Sequence, residues 1–393
     1  MKKKIIYLDS AANTPLDKRV FSAMKPYLSE SFMGNSHAIH PYGIKALQAI
    51  EEGRETIAKI TGYNASEIYF TSGATESNNW VLKSLALHEL YEEKNPKLHM
   101  VVSAIEHASV LNTCKQIEKM GFHITYVQPN KDGVIQPKDI RAAIRFNTLL
   151  VCVMAINNET GAKNSINAIG EIAHKNKSLM MSDCTQFLTY GGKHMCLKSI
   201  IPNVDYITFS SHKIYGPTGV GCLIVRKRAP IYSLITGGSQ EQGLRGGTSN
   251  TAGIVGMCAA YKLMAENNYV GHYTSLYDYL INKLTYYNIP YKINGCVAHK
   301  NIINLNFSAF TQDSDLASTF AIYNIACSAG SACDVSQGGD QAPSHVLTAM
   351  KIPEQEIHNS IRVSFSKYTT KKDIDSFIEV VLKIYKHSME ENK

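Results

Sequence analysis

One lysine follows an apolar run of the chain and could be the reactive group of an enzyme. The run Tyr206–Phe209 leads into Ser210-Ser-His-Lys213, and the next residues are punctuated by Gly216 and Gly219. A lysine at the end of a strand can form a Schiff base with an aldehyde cofactor when its surroundings deprotonate the amine. Taken alone, Lys213 would more often be a surface residue of a loop. Its interpretation therefore depends on the residues that share its surroundings.

Polar residues also follow other apolar runs. Asp183 could pair with a protonated pyridine nitrogen, the partner that lets pyridoxal phosphate act as an electron sink. Ser72–Ser77 has the pattern of a strand-to-helix turn, where free N–H groups and the helix dipole favour a phosphate. His107 could lie flat on an aromatic ring, or simply begin a helix, and Asn157–Gly161 ends a fourth run. Because ligands bind at the carboxyl ends of parallel strands, we expect these sites to meet in one crevice.

The elements that would position these residues alternate along the chain. Strand-like Glu67–Phe70 precedes helix-like Glu76–Tyr91, and strand-like Met100–Ser103 precedes helix-like Ala108–Met120. Short apolar runs that alternate with helical periodicity are typical of βαβ units and of a sheet buried on both faces. The sequence thus predicts an α/β fold whose mainly parallel sheet is flanked by helices.

The pattern changes from about residue 255. Strand-like Ile302–Phe307 and a terminal helical segment, Asp373–Tyr385, indicate a second and smaller α+β domain. The length of 393 residues also favours two domains. We therefore expect a large domain formed by residues 15–255 and a small domain formed by residues 1–14 and 256–393.

The composition excludes several classes of protein. The net charge is +7, but the basic residues are scattered, and Lys2–Lys4 and Arg226–Arg228 are short and contain no aromatic residue. Direct nucleic-acid binding is therefore not expected. No apolar run reaches the roughly 18–20 residues of a membrane span, and Ile5–Leu8 is too short for the core of a signal peptide. We expect a cytoplasmic protein without a membrane partner.

The nine cysteines do not form a recognisable disulfide or metal pattern. Nine is an odd number, and no C-x-x-C pair occurs, which argues against a secreted disulfide framework and against a structural zinc site. We predict no metal site. Cys152, Cys222 and Cys258 lie in apolar runs and are predicted to be small buried hydrophobic residues. Of the other six cysteines, the pair that stands out is in Cys327-Ser-Ala-Gly-Ser-Ala-Cys333.

Together these motifs resemble a known family of enzymes. The chain is similar, from Tyr7 to about Tyr368 and in the same order, to the cysteine desulfurases of the NifS/IscS-like group. These form part of the class V aminotransferase branch of pyridoxal-phosphate enzymes with fold type I. The motifs that carry the resemblance are Tyr7-Leu-Asp-Ser-Ala-Ala-Asn-Thr-Pro15, Thr71-Ser-Gly-Ala-Thr-Glu-Ser-Asn-Asn79, Glu106-His107, Asn157-Asn-Glu-Thr-Gly161, Ser210-Ser-His-Lys-Ile-Tyr-Gly-Pro217, Arg245-Gly-Gly-Thr248, Ser328-Ala-Gly-Ser-Ala-Cys333 and Ser360-Ile-Arg-Val-Ser364.

The resemblance implies how pyridoxal 5'-phosphate would be held. Lys213 would bind the cofactor covalently, Asp183 would pair with the pyridine nitrogen, and His107 would stack on the ring. Gln186 would donate a hydrogen bond to the ring oxygen. The residues implied on the phosphate side are Ala74, Thr75, Ser210, His212 and, from the neighbouring subunit of a homodimer, Thr248.

The resemblance also implies the substrate and the reaction. Asn158 and Arg362 would hold the carboxylate of L-cysteine, a task that suits the planar guanidinium fork. Cys333 would take the sulfur as a persulfide and leave alanine, after which a sulfur-acceptor protein in iron–sulfur cluster assembly or thiolation would receive it. Cys327 is interpreted as a structural residue rather than as a resolving thiol.

Two alternatives stay open at this point. The first is a selenocysteine lyase or another pyridoxal-phosphate β-lyase, which would need no persulfide on Cys333. The second is a catalytically weak cofactor-binding scaffold in a sulfur-transfer complex, which the presence of Lys213, Asp183, His107 and Cys333 disfavours. The sequence also departs from the family at Asn13, where threonine is usual.

Overall fold

The computed structural model describes residues 5–29, 32, 34–307, 310, 316–329 and 343–391. Within these residues the strands are β1 (Ile6–Tyr7), β2 (Ile68–Thr71), β3 (His99–Ser103), β4 (His123–Val127), β5 (Thr148–Cys152), β6 (Leu179–Asp183), β7 (Tyr206–Ser210), β8 (Gly221–Val225), β9 (Lys292–Ile293), β10 (Ile302–Asn306), β11 (Ile325–Ala326) and β12 (Ser360–Ser364). The α-helices are α1 (Lys18–Met24), α2 (Pro41–Thr61), α3 (Ala74–Tyr91), α4 (Ala108–Glu118), α5 (Pro137–Ala143), α6 (Ile166–Lys175), α7 (Leu197–Ile200), α8 (Thr251–Glu266), α9 (Val270–Tyr286), α10 (Leu316–Ile322), α11 (His345–Ala349), α12 (Glu354–His358) and α13 (Lys371–Glu391).

The largest sheet has seven strands in the order β2-β8-β7-β6-β5-β3-β4. Strands β4, β3, β5, β6 and β7 run parallel to one another, and β8 is antiparallel to both of its neighbours. Because β2 is antiparallel to β8 and β8 is antiparallel to β7, strand β2 points in the same direction as β7. The predicted mainly parallel sheet is confirmed.

Both faces of this sheet are covered. Along β3, Met100 and Val102 belong to one hydrophobic cluster and Val101 to another, and none of the three side chains is exposed. Successive side chains of a strand point to opposite faces, so the two clusters lie on opposite sides of the sheet. A strand that is buried on both faces must be apolar throughout, which is why these runs lack the polar alternation of an exposed sheet.

A separate hydrophobic cluster lies around a second, three-stranded sheet. Strands β12, β10 and β9 pair antiparallel, and α9 packs against α13 beside them. The cluster includes Leu280, Leu305, Val363 and Phe377. The expected domain boundary between residues 255 and 256 falls inside α8. Helix α8 packs against α1 and α2. The division into residues 15–255 and the remainder of the chain stays a prediction.

None of the helices formed by the described residues combines the length and the apolar character that a membrane span requires.

A carboxyl group is buried at the carboxyl end of β3. The side chain of Glu106 has no exposed surface. Its Oε1 accepts hydrogen bonds from the Ser103 hydroxyl and from the backbone N–H of Met154, both at 2.6 Å, while Oε2 has no partner among the described residues. Burial raises the pKa of Glu106 to about 8, even though these two hydrogen bonds act in the opposite direction. Glu106 is therefore protonated at neutral pH.

The raised pKa of Glu106 makes stability depend on pH. Because the pKa in the folded protein lies above the ordinary value, the unfolded chain releases the proton first, and stability is lost as the pH rises from about 4.5 towards 8. Glutamine does not titrate and keeps the acceptor oxygen. Between pH 5 and 7, the free energy of unfolding of Glu106→Gln should increase relative to that of the wild type by about 1.4 kcal/mol for each pH unit. Urea titration at both pH values measures this difference.

The matched control is Glu171→Gln on the exposed surface of α6, for which the difference from the wild type should not change over this pH range. A pH-independent difference between Glu106→Gln and the wild type would show that Glu106 is ionised in the folded protein.

Candidate active site

A cavity of about 210 Å³ lies at the carboxyl edge of the seven-stranded sheet. The structure brings ten of the sequence-predicted site residues to its walls, namely Ala74, Thr75, His107, Asn158, Asp183, Gln186, Ser210, His212, Lys213 and Arg362. The exposed Thr248 is not part of this lining, and Cys333 lies outside the described residues. Five further residues line the cavity and had been given no binding or catalytic role from the sequence, namely Ala11, Ala12, Met154, Ile156 and Thr185.

One end of the cavity is built by the beginning of α3. The backbone N–H of Ala74 donates to the Ser210 hydroxyl over 2.7 Å, which joins the helix to the end of β7. The turn before α3 lies so close to β8 that a Cβ on Gly221 would come within 2.5 Å of the Gly73 Cα atom. Only glycine at position 221 allows this approach. A helix N-terminus with a nearby hydroxyl is suited to bind an anion such as phosphate.

Another wall carries the carboxylate of Asp183, at the end of β6. Its Oδ1 accepts from the backbone N–H of Thr185 at 2.9 Å, and its Oδ2 accepts from Asn78 Nδ2 at 3.0 Å. Only 7 % of Asp183 is exposed. Two N–H donors hold the carboxylate in place, and a cationic ring nitrogen in the cavity would complete its hydrogen bonding.

His107 caps the N-terminus of α4 and lines the same cavity. Its Nδ1 accepts a hydrogen bond from the backbone N–H of Ser109 at 3.1 Å. A backbone N–H can only donate, so Nδ1 carries no hydrogen, and the neutral ring is protonated on Nε2. His107 therefore begins a helix and lines the cavity, and its stacking on an aromatic ring stays a prediction.

The amine of Lys213 meets the N-terminal segment of the chain. Its Nζ donates to the backbone carbonyls of Ala11, at 2.8 Å, and Ala12, and Gln186 Nε2 donates to the Ala11 carbonyl at 3.0 Å. Thr14 braces the same loop, since its hydroxyl donates to the His212 carbonyl at 2.7 Å. Ala11 and Ala12 have no reactive side chains. Only the Tyr7–Pro15 motif as a whole could have predicted that they lie beside Lys213.

His212 is held in the cavity wall by Asn13, whose Oδ1 lies 3.0 Å from His212 Nδ1. Burial, together with the neighbouring Lys213 and His107, lowers the pKa of His212 to about 4. The imidazole is therefore neutral at neutral pH. Asn13, the departure from the family pattern, contacts the site directly.

Arg362 reaches the cavity from β12, in the second sheet. Its guanidinium donates to Asp9 Oδ1 at 2.7 Å, to the Ser328 hydroxyl at 3.2 Å and to the Asn158 carbonyl at 3.1 Å. Only 1 % of Arg362 is exposed, and its Nε has no partner among the described residues. A buried guanidinium with an unused donor can bind a carboxylate. The ion pair with Asp9 could not be read from the sequence, because 353 residues separate the two.

The cysteine that directly follows Asp183 is not an activated thiol. Cys184 is fully buried, and burial raises its thiol pKa. Cys152, Cys222 and Cys258 are buried as predicted. Cys327 follows β11 and packs against the cluster of the second sheet.

The chemistry of the cavity suits a particular kind of ligand. Thr185 Oγ1 and Gln186 Oε1 are buried atoms with no hydrogen-bond partner among the described residues. The α3 N-terminus would take a phosphate, Asp183 a basic ring nitrogen and Lys213 an aldehyde. No group of three or more His, Cys, Asp or Glu residues that could hold a metal ion occurs in the described part of the chain.

Comparison with known proteins identifies the family. Residues 6–377 match the model of the family described as Aminotransferase class-V. The chain is 39 % identical over 385 residues to "Cysteine desulfurase IscS" of Dictyoglomus turgidum, which covers 97 % of this chain and 95 % of the relative.

Two solved structures have the same architecture. One is described as "NIFS-LIKE PROTEIN" (TM-score 0.86, 33 % identity, 98 % of this chain and 100 % of that chain), the other as "SspA in complex with cysteine" (TM-score 0.79, 36 % identity, 93 % and 99 %). This chain belongs to the class-V aminotransferase family and, within that family, to the cysteine desulfurases.

Proposed function

We propose that this chain is a pyridoxal-phosphate-dependent L-cysteine desulfurase that forms an enzyme persulfide on Cys333. The convergence of Lys213, Asp183, His107 and Arg362 on one cavity supports the proposal most directly. Similarity to proteins named cysteine desulfurase, and to a structure described as a complex with cysteine, supports the same substrate.

Each group of residues would hold one part of the cofactor. The first-turn N–H groups of α3, Ser210 and His212 would bind the phosphate, Asp183 would hold the proton on the ring nitrogen, and His107 would lie against the ring. Gln186 would contact the ring oxygen. When bound, pyridoxal phosphate supplies an aldehyde that takes up an amino group and a ring that accepts electrons.

Charged and polar side chains would orient the substrate, and the Lys213 amine would transfer its proton. The guanidinium of Arg362, together with Asn158, would bind the carboxylate of cysteine. The Lys213 amine would take the proton from Cα as a general base and return it to the carbon skeleton. Overall, cysteine and the thiol of Cys333 would give alanine and a Cys333 persulfide. The reaction consumes no further reagent. A thiolate is needed for this attack.

The persulfide would be delivered to a sulfur-acceptor protein, in iron–sulfur cluster assembly or in a thiolation pathway. The cytoplasmic location expected from the sequence stays a prediction.

Lys213 is expected to be the lysine that bonds the cofactor. Borohydride reduction followed by peptide mapping should place the pyridoxyl label on Lys213, and Lys213→Ala should lose the label and cysteine turnover. Lys227→Ala, which changes an exposed lysine after β8, is the matched control and should keep both. A label on another lysine would refute the assignment.

The nucleophile is tested by comparing two serine variants. Cys333→Ser should still bind the cofactor and change its absorption when cysteine is added, because a hydroxyl replaces a thiol of similar size. Its production of alanine should fall by orders of magnitude, since serine remains protonated near neutral pH and forms no persulfide. Cys327→Ser should keep most of the activity.

Mass spectrometry after brief cysteine treatment should add one sulfur to Cys333. If Cys333→Ser keeps near-full activity, or if the sulfur maps to Cys327 or Cys184, the protein is better described as a direct β-lyase. If the wild-type protein binds the cofactor but yields no alanine from cysteine, the alternative of a catalytically weak cofactor-binding scaffold would be favoured.

We further propose a homodimer in which Thr248 contacts the phosphate of the neighbouring subunit. The loop that carries Thr248 is firmly anchored, because Arg245 pairs with Glu76 of α3 at 2.9 Å and Arg54 pairs with the buried Glu241 at 2.8 Å. Large apolar side chains are also exposed, and a partner subunit would cover some of them: Phe21, Leu28, Ile39, Ile44, Leu47 and Ile235.

Thr248→Val is expected to weaken cofactor binding without changing the dimer. Loss of the hydroxyl removes one phosphate contact but no apolar surface, so light scattering should give the dimer mass while the dissociation constant of pyridoxal phosphate rises. A wild-type monomer that still turns over cysteine would overturn the proposal.

A further inference from the structure

A fully buried amide lies behind the cavity and joins two of its walls. Asn78, in the second turn of α3, has no exposed surface and does not line the cavity. Its Oδ1 accepts from the Thr208 hydroxyl at 2.6 Å, and its Nδ2 donates to Asp183 Oδ2 at 3.0 Å and to Ser109 Oγ at 2.9 Å. Both hydrogens and the oxygen of the amide are therefore used.

The direction of each hydrogen bond follows from the chemistry of the groups. The amide oxygen can only accept, so Thr208 is the donor, and each Nδ2 hydrogen has one acceptor. Ser109 Oγ receives a hydrogen from Asn78, which leaves its own hydrogen for His107 Nδ1 at 2.9 Å. The backbone N–H of Ser109 points at the same nitrogen. One amide thus contacts Asp183 directly and His107 through Ser109.

Rotation of the amide would break this arrangement. If Oδ1 and Nδ2 exchanged places, an amide oxygen would face the Asp183 carboxylate and an N–H group would face the Thr208 hydroxyl. An oxygen against a buried carboxylate is unfavourable, because neither atom has a hydrogen to share. The hydroxyl of Thr208, which lies beside Asp183 in the β6–β7 pairing, can donate or accept, so the Asp183 carboxylate is the group that fixes the orientation of the amide.

We propose that Asn78 is a positioning residue for the reaction. It orients the Asp183 carboxylate towards the ring nitrogen of the cofactor and, by donating to Ser109 Oγ, directs the Ser109 hydroxyl hydrogen to His107 Nδ1. Because Asn78 belongs to the helix whose N-terminus would take the phosphate, the two ends of the cofactor site are set by one element. This inference rests on the proposed cofactor.

The test compares Asn78→Leu with neighbouring variants. In Asn78→Leu, Asp183 loses one donor, and the pH midpoint of the bound cofactor's visible absorption should move by about one unit, as expected when a hydrogen bond to a charged group is lost. Thr208→Val should move the midpoint in the same direction by a smaller amount, since Asn78 then loses the hydrogen bond that holds its oxygen. Asn79→Ala is the matched control: its amide contacts the Thr75 carbonyl and the Thr113 hydroxyl, and the midpoint should not move.

A second measurement does not depend on the cofactor. In protein prepared without pyridoxal phosphate, the ¹⁵N signals of His107 should show a hydrogen on Nε2 only. Because the backbone N–H of Ser109 still donates to Nδ1 in every variant, Asn78→Leu and Ser109→Ala should keep this tautomer but shift the Nδ1 signal, since each disturbs the hydrogen bond from the Ser109 hydroxyl. Ser109→Ala, the milder change, should leave the absorption midpoint near that of the wild type.

The outcomes separate the two proposals. A wild type that takes up no pyridoxal phosphate refutes the proposed function, while the His107 signals still decide the role of Asn78. If Asn78→Leu folds and changes neither the His107 signals nor the absorption midpoint, Asn78 has only a structural role. If Asn78→Leu does not fold, Thr208→Val and Ser109→Ala decide the question, and unchanged values in both would overturn the inference.

Discussion

The site depends on the common direction of five strands. β3, β5, β6 and β7 are parallel, and the antiparallel β8 turns β2 into the same direction. All five strands therefore end at one edge of the sheet. Residues that are far apart in the chain, such as Thr75 and Lys213, meet there because each follows the carboxyl end of a strand. The apolar residues that pack both faces of the sheet maintain this arrangement, although none of them takes part in chemistry.

The site is completed by segments that lie outside this sheet. The N-terminal residues Ala11 and Ala12 offer carbonyls to Lys213, and Arg362 comes from the second sheet. The ion pair between Arg362 and Asp9 joins these two contributions. The cavity exists only where the two sheets and the N-terminal segment meet, and so its geometry depends on the packing between them.

Burial controls the charges around the cavity. Glu106 is kept protonated and His212 is kept neutral, because burial disfavours the charged form of each. The hydrogen bonds to Glu106 oppose this effect only in part, and Lys213 and His107 reinforce it at His212. Asp183 instead receives two N–H donors, and Arg362 has Asp9 beside it. The groups that would meet a charged ligand are thus held in place by specific partners.

The sequence by itself indicated the α/β class, the mainly parallel sheet and the ten residues that line the cavity. Apolar runs predicted the sheet, because its strands are buried on both faces, and the polar residues that follow these runs pointed to Lys213, Asp183 and His107. The roles of other lining residues, such as Gln186 and Arg362, came from the resemblance of the motifs to the cysteine desulfurases. The roles of Ala11, Asp9 and Asn78 came only from the tertiary structure. Ala11 acts through its backbone carbonyl, Asp9 through a partner on β12, and Asn78 through hydrogen bonds to β6, β7 and the start of α4. Such roles depend on which groups lie within about 3 Å after folding, and no local pattern of residues carries that information.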